Sequence, residues 1–242
     1  MFTQTIEFSA HQDILSLEDV LPEPANKNIP QWYKDVENPT SHLTRTIKAC
    51  KPFLDSICAG YILKNVREQE INFNKKNLEG QKATWVEVSK QAVNYGVYNL
   101  NEGNETHSIE QLGGLSCPYV QTNKGYNLYK LRQPWIIKVP KGYGLLFLPP
   151  INRPEKRFEI LSGIVDGNYS LQTNFPCIFK KEGSWILERG APIATVFPFK
   201  LEHWKMKITK APVSTFAQGQ LNNGNFLTKW YEKTFWTKKS WK

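Results

Sequence analysis

The sequence predicts a mainly β fold, a sandwich, jelly roll or partly closed barrel carrying one or two short helices and a C-terminal helix. Three observations carry that expectation. The second half is a succession of strand-length runs, PWIIKVP, GLLFLPP, RFEILSGIV, CIFK, SWIL, APIATVFPFK and HWKMKI, separated by glycine, proline or asparagine. Regular short strands with turns between them are the pattern of all-β sandwiches and barrels. β-Branched and aromatic residues dominate the runs, as suits a pleated, half-buried surface. Helical periodicity, by contrast, is confined to short stretches.

Taken in order, the opening segment to about Ile29 reads as a strand followed by an extended arm, punctuated by Pro22 and Pro24. Pro30 suits the first turn of a short helix in IPQWYKDV, with Trp32, Tyr33 and Val36 as its packing anchors. A clearer helix is expected from Pro52 to Ala59, because Phe53, Leu54, Ile57, Cys58 and Tyr61 recur on one helical face and Gly60 follows as a stop. The period then changes to alternation in INF at Ile71, TWVEV at Thr84 and YGVYNL at Tyr95. The paired prolines Pro149 and Pro150 cannot continue an interior strand, which places GLLFL at a sheet edge or rim. Beyond Ile208 a polar connector leads to FLTKWYEKTFWTKKSWK, where Phe226, Leu227, Trp230 and Tyr231 have helical spacing and Asn225 is available as a cap. The expected organisation is a mainly β domain over residues 1–208 and a connector with a basic aromatic helix over 209–242.

The chain has 242 residues, of which 40% are hydrophobic and 13% aromatic, sufficient for one sizeable core. The first twenty residues lack the basic start and apolar stretch of a secretory signal, and GLLFLPPI is too short and too proline-broken to span a membrane. Four cysteines, Cys50, Cys58, Cys117 and Cys177, form no CxxC pair and read as reduced, packed thiols. The expected location is the host-cell cytoplasm, or the virion for a phage-encoded chain. Net charge is +9, and residues 200–242 hold nine lysines against Glu202 and Glu232, so seven of the nine excess charges lie in that segment. Such a segment can meet nucleic acid, an acidic protein or anionic lipid.

Motifs for chemistry are sparse. His11-Gln12-Asp13 matches the HxD element of some iron sites, but no second motif supports it, and neither a metal nor a cofactor is predicted. The GxSxG elbow, the P-loop and the dinucleotide fingerprint do not occur in the sequence. Aromatics interleaved with lysines at Lys229, Trp230, Lys233, Trp236, Lys238, Lys239 and Trp241 are suited to contact a protein partner or a single-stranded nucleic acid. The same aromatic stripe could equally pack on the protein's own core or on a neighbouring copy.

One block invites comparison with known families: VPKGYGLLFLPP, then GIVDGNY at Gly163, then ERGAPIATVFPF at Glu188. It resembles the strand framework of dUTPases and dCTP deaminases, with Gly163, Asp166 and Tyr169 matching the hairpin that shapes the base pocket and Gly190, Ile193 and Ala194 matching the last strand. The resemblance implies a nucleotide pocket in which Asp166 and Tyr169 line the base site and Arg153 meets phosphate. The Arg-Ser-Gly phosphate element of that family is replaced by Pro149-Pro150-Ile151-Asn152-Arg153, and the tail lacks a glycine-rich loop. Read without a ligand, the same hairpin is a strand ending in an Asp-Gly turn. More of the chain, through IPQWYK, TIKACKPFLDSICAGYIL, PWIIKVPKGYGLLFLPP, GIVDGNY and APIATVFPFK, resembles a family of phage and bacterial proteins that is a domain of unknown function. That resemblance implies an architecture and a phage setting and transfers no catalytic residue. The function expected is therefore a non-catalytic, phage-related structural or interaction protein, self-associating or binding a protein partner, with nucleotide binding and nucleic-acid binding as alternatives.

Overall fold

The computed structural model describes residues 4–39, 46–73, 87–90, 106–122, 128–167, 173–214 and 230–242. The expected strand YGVYNL, the residues Thr84–Val86 of TWVEV, and Tyr169, Asn225, Phe226, Leu227 and Lys229 lie outside them. In chain order the strands are β1 (Glu7–Ser9), β2 (Glu23–Pro24), β3 (Tyr61–Lys64), β4 (Gln69–Phe73), β5 (Glu87–Lys90), β6 (Thr106–His107) and β7 (Leu128–Arg132), followed by β8 (Ile136–Lys138), β9 (Tyr143–Leu148), β10 (Phe158–Ile160), β11 (Gly163–Asp166), β12 (Asn174–Phe179), β13 (Gly183–Leu187) and β14 (Pro192–Lys200). The helices are short: α1 (Gln12–Leu15), α2 (Gln31–Asp35), α3 (Lys51–Cys58), α4 (Pro118–Thr122) and α5 (Trp230–Thr234). The fold is mainly β, as expected. No described helix is long and apolar enough to cross a membrane.

The chain divides into two compact units, Met1–Glu23 with Gly60–Lys200, and Pro24–Ala59 with Leu201–Lys242. The first holds the sheets. Their strand orders are β1-β8, β10-β12-β7-β6, β11-β9-β14-β3-β2 and β13-β4-β5, and the described pairings are antiparallel. At the centre of the largest sheet, Ile193, Ala194, Thr195 and Val196 of β14 are buried between β3 and β9. Pro198 is tolerated there because pairing with β3 ends at Val196↔Tyr61, so its missing N–H leaves no gap in that ladder.

Three sequence expectations need correction. GLLFL is not a rim strand: β9 runs inside its sheet between β11 and β14, and Pro149 and Pro150 fall just past its end. RFEILSGIV is not one strand but two, since β10 and β11 belong to different sheets. HWKMKI forms no strand at all, and residues 201–212 carry neither helix nor strand.

A single core fills the first unit, with Trp135, Phe73, Phe147 and Phe179 among its largest buried side chains. Phe179 meets Phe73 at 5.8 Å, Tyr129 at 5.9 Å and Trp185 at 5.6 Å between ring centroids. Buried Asn65 ties the sheets together. Its backbone N–H donates to Ala191 O at 2.8 Å and its carbonyl accepts from Gly190 N at 2.8 Å, while Nδ2 donates to the Arg67, Leu187 and Glu188 carbonyls.

In the second unit, Pro30 stands at the N-cap of α2 rather than in its first turn. Tyr33 is buried against Phe53 at 6.0 Å, whereas Trp32 is left 39% exposed. Helix α3 begins with a proline in its first turn, as expected, and buries Ile57.

Candidate functional site

The strand of GIVDGNY is present as β11, but the next strand in the chain, β12, belongs to another sheet, and Asn168 and Tyr169 lie outside the described residues. β11 pairs with β9 from Gly163↔Phe147 to Asp166↔Gly144, and Gly167 N donates to Tyr143 O at 3.0 Å. Gly167 is there because nothing larger fits: a Cβ on it would stand 2.2 Å from Val139 Cγ2 and 2.3 Å from Tyr143 O. Asp166 is exposed at this end of the ladder. Arg153 belongs to the turn past the other end of β9, where its N–H donates to Pro150 O at 3.2 Å and its Nη1 to Ile151 O at 3.0 Å. The stretch of β9 from Gly144 to Leu148 spans about 14 Å at the rise of an antiparallel strand. The structure therefore does not bring Arg153 and Asp166 together.

Arg153 instead borders a shallow cleft of about 150 Å³, whose apolar floor is Pro149, Pro150, Phe158 and Ile160 and whose rim includes Glu155, Glu159 and Lys180. Ligand pockets for molecules of nucleotide size run from roughly 300 to 1,000 Å³. The rim charges are largely spent on each other. Lys180 pairs with Glu159, and Arg157 bonds Glu155 through Nε at 3.0 Å and Nη2 at 2.8 Å. Burial pushes the Glu155 carboxyl up, but the hydrogen bonds from Arg157 outweigh it and leave the pKa below the usual value. Arg157 also reaches Glu188 at 2.9 Å, donates to Ile186 O at 2.6 Å and lies 5.5 Å from the centre of the Trp185 ring. This guanidinium joins β13 to the segment before β10; it is a structural pin.

His11 and Asp13 have a comparable local role. His11 caps α1, its Nδ1 accepting from Asp13 N at 3.3 Å. Among the described residues no group of three or more metal-ligating side chains converges.

Of the proposed contact residues in the tail, several are engaged within the second unit. Trp236 Nε1 donates to Asp55 Oδ2 at 2.9 Å and Lys239 Nζ to the same oxygen at 2.7 Å. Lys51 stands 5.3 Å from the centre of the Trp236 ring and 3.3 Å from Glu232. The carbonyl of Trp241 accepts from Asn26 Nδ2 at 3.1 Å. Lys233 and Lys238 remain exposed, and Trp230 is placed only as the first residue of α5. Trp236 and Lys239 thus help to dock the tail on α3.

A different segment presents the larger apolar surface. Every residue from Leu201 to Ser214 is exposed, with Trp204 87%, Met206 83%, Ile208 85% and Val213 80% accessible. Trp204, Met206 and Ile208 alternate with Lys205 and Lys207, the period of a strand with one apolar and one basic face. In the sequence that alternation reads as a strand; the structure leaves it uncovered. Scattered exposed hydrophobics are normal on protein surfaces, but three in register on one short segment are not.

No family model matches the chain, and no curated protein matches it. Solved structures with local likeness include the dUTPase from phage phi11 of S. aureus, 13% identical with a TM-score of 0.26 over 36% of this chain and 75% of that one. The Staphylococcus bacteriophage 80alpha dUTPase is 15% identical with a TM-score of 0.28 over 35% of this chain and 72% of that one. The same enzyme with dUPNHPP is 17% identical with a TM-score of 0.26 over 36% and 68%.

Proposed function

We propose that this is a non-catalytic, phage-related interaction protein that acts by associating through its basic C-terminal segment, in the first place with copies of itself. The observation that supports this reading is the uncovered segment 201–214, with Trp204, Met206 and Ile208 each more than four-fifths accessible. Covering a large apolar side chain completely is worth about 1.5–3 kcal/mol, so an isolated copy forgoes that gain three times over. Sedimentation velocity over a concentration series tests the reading. Association that weakens in the triple variant W204S/M206S/I208S supports it, and a monomer at every concentration overturns it.

A second reading is single-strand nucleic-acid binding, favoured by Trp204 interleaved with Lys205, Lys207 and Lys210. Stacking on the indole and neutralisation of phosphates by the lysines would make affinity fall steeply with salt. Fluorescence anisotropy with a labelled oligonucleotide decides it, since binding that is absent or insensitive to salt removes this reading. The nucleotide-pocket reading keeps exposed Asp166 at the end of β11 as its support, and it predicts stabilisation of about 2.7 kcal/mol by a deoxynucleotide at 100 times its dissociation constant. An unchanged melting temperature eliminates it.

A further inference from the structure

We infer that residues 202–210 of one copy add as a strand to the open edge of β11 in a second copy. The inference rests on the self-association proposed above and specifies its acceptor. β11 stands at the end of the five-stranded order with β9 on one side, so among the described strands its other edge is unpaired. An unpaired edge offers a row of backbone donors and acceptors to an incoming strand.

The side chains of β11 match the segment face for face. Val165 packs against the core, and Gly163 shares its side of the strand, where a Cβ would meet nothing within 4 Å. On the opposite side Ile164 is 66% exposed and Asp166 is exposed. A strand carrying Trp204, Met206 and Ile208 on the Gly163 and Val165 side would extend the core outward and fill the space beside the glycine. Its lysines would then fall on the other side, their stems against Ile164 and an ammonium near Asp166. Sliding by one residue would put the lysines against the core and the indole in water, so the two-face pattern also sets the register. Among the other strands at sheet ends, the Ile186 carbonyl of β13 is taken by Arg157, β2 and β6 have two residues each, and β1, β8 and β10 have three; β5 has four like β11, so the match of faces rather than length singles out β11.

The test uses full-length chains in sedimentation velocity, with Ile164→Lys on the acceptor and W204S/M206S/I208S on the donor. Ile164 is an exposed side chain, so its replacement leaves the monomer fold in place, and circular dichroism confirms this for both variants. Each variant is expected to raise the dissociation constant at least about tenfold, because a lysine at 164 faces the donor's lysines across the new ladder. In parallel, Ile164→Cys and Lys207→Cys proteins are mixed and oxidised. A disulfide-linked pair that forms on mixing, above the level of either protein alone or of wild type, supports the register. If the donor variant is monomeric while I164K associates like wild type and no trapped pair forms, β11 is not the acceptor and self-association stands without it. Wild type that is monomeric throughout overturns both.

Discussion

At the scale of single residues, Gly167 is explained by packing. Gly167 closes β11 against the start of β9 with backbone 2.3 Å from where its Cβ would be, and backbone cannot swing aside as a flexible side chain can. Gly167→Ala is expected to cost about 1–3 kcal/mol, the range for overpacking at a constrained position. Urea denaturation measures it, and a change below about 0.5 kcal/mol, the scale of ordinary surface substitutions, would refute the close-approach account. Cys177 makes a second prediction. Burial pushes its thiol pKa well up, so the folded protein keeps a proton that the unfolded chain releases near pH 8.5. The stabilisation is fully present below that pH and declines as pH rises above it, by up to about 1.4 kcal/mol per unit. Cys177→Ala is expected to flatten the alkaline limb of the stability curve, whatever it does to stability at neutral pH. Parallel slopes for variant and wild type would contradict this assignment.

At the scale of elements, Asn65 joins β3 to the β13–β14 turn by donating to three carbonyls on two segments, that of Arg67 and those of Leu187 and Glu188. Asn65→Ala removes those bonds, whereas Asn65→Asp turns a donor into a charged acceptor facing the same oxygens. The aspartate variant is therefore expected to be the less stable of the two, by about 1–3 kcal/mol. Equal melting of the two variants would show that the bonds are not what holds the turn. No sequence pattern marks Asn65, because its three partners come from residues up to 123 positions away. Strand identity was more legible. PWIIKVP, CIFK, SWIL and APIATVFPFK all carry strands where alternation and turn residues place them, while LYKLR, which forms β7, is flanked by Gly125, Asn127 and Pro134 but lacks a clean alternation, since Leu128 shares its side of the strand with Lys130 and Arg132. Interior or edge position was not legible for GLLFL, because a proline pair just past a strand and one within it look alike until pairing is known. Likewise Arg153 and Asp166 are thirteen positions apart in sequence, and only the register of β9 with β11 shows that they occupy opposite ends of a ladder.

At the scale of the whole molecule, the alternation in HWKMKI was visible from the start, but whether it is covered by the same chain is a tertiary fact. The structure leaves it bare, and an alternating segment without a neighbour has its natural complement in another sheet edge. Charge sharpens the claim. Copies with a net charge of +9 repel one another, so salt that screens this repulsion should preserve or strengthen an association driven by apolar burial, while it weakens any phosphate-driven binding. The most direct test is the solution mass of the full chain by sedimentation velocity across protein concentration, at low and at high salt. The account predicts a species larger than the monomer that persists or gains population at high salt and is lost in W204S/M206S/I208S. A monomer under all conditions, or an assembly indifferent to that triple substitution, would contradict it.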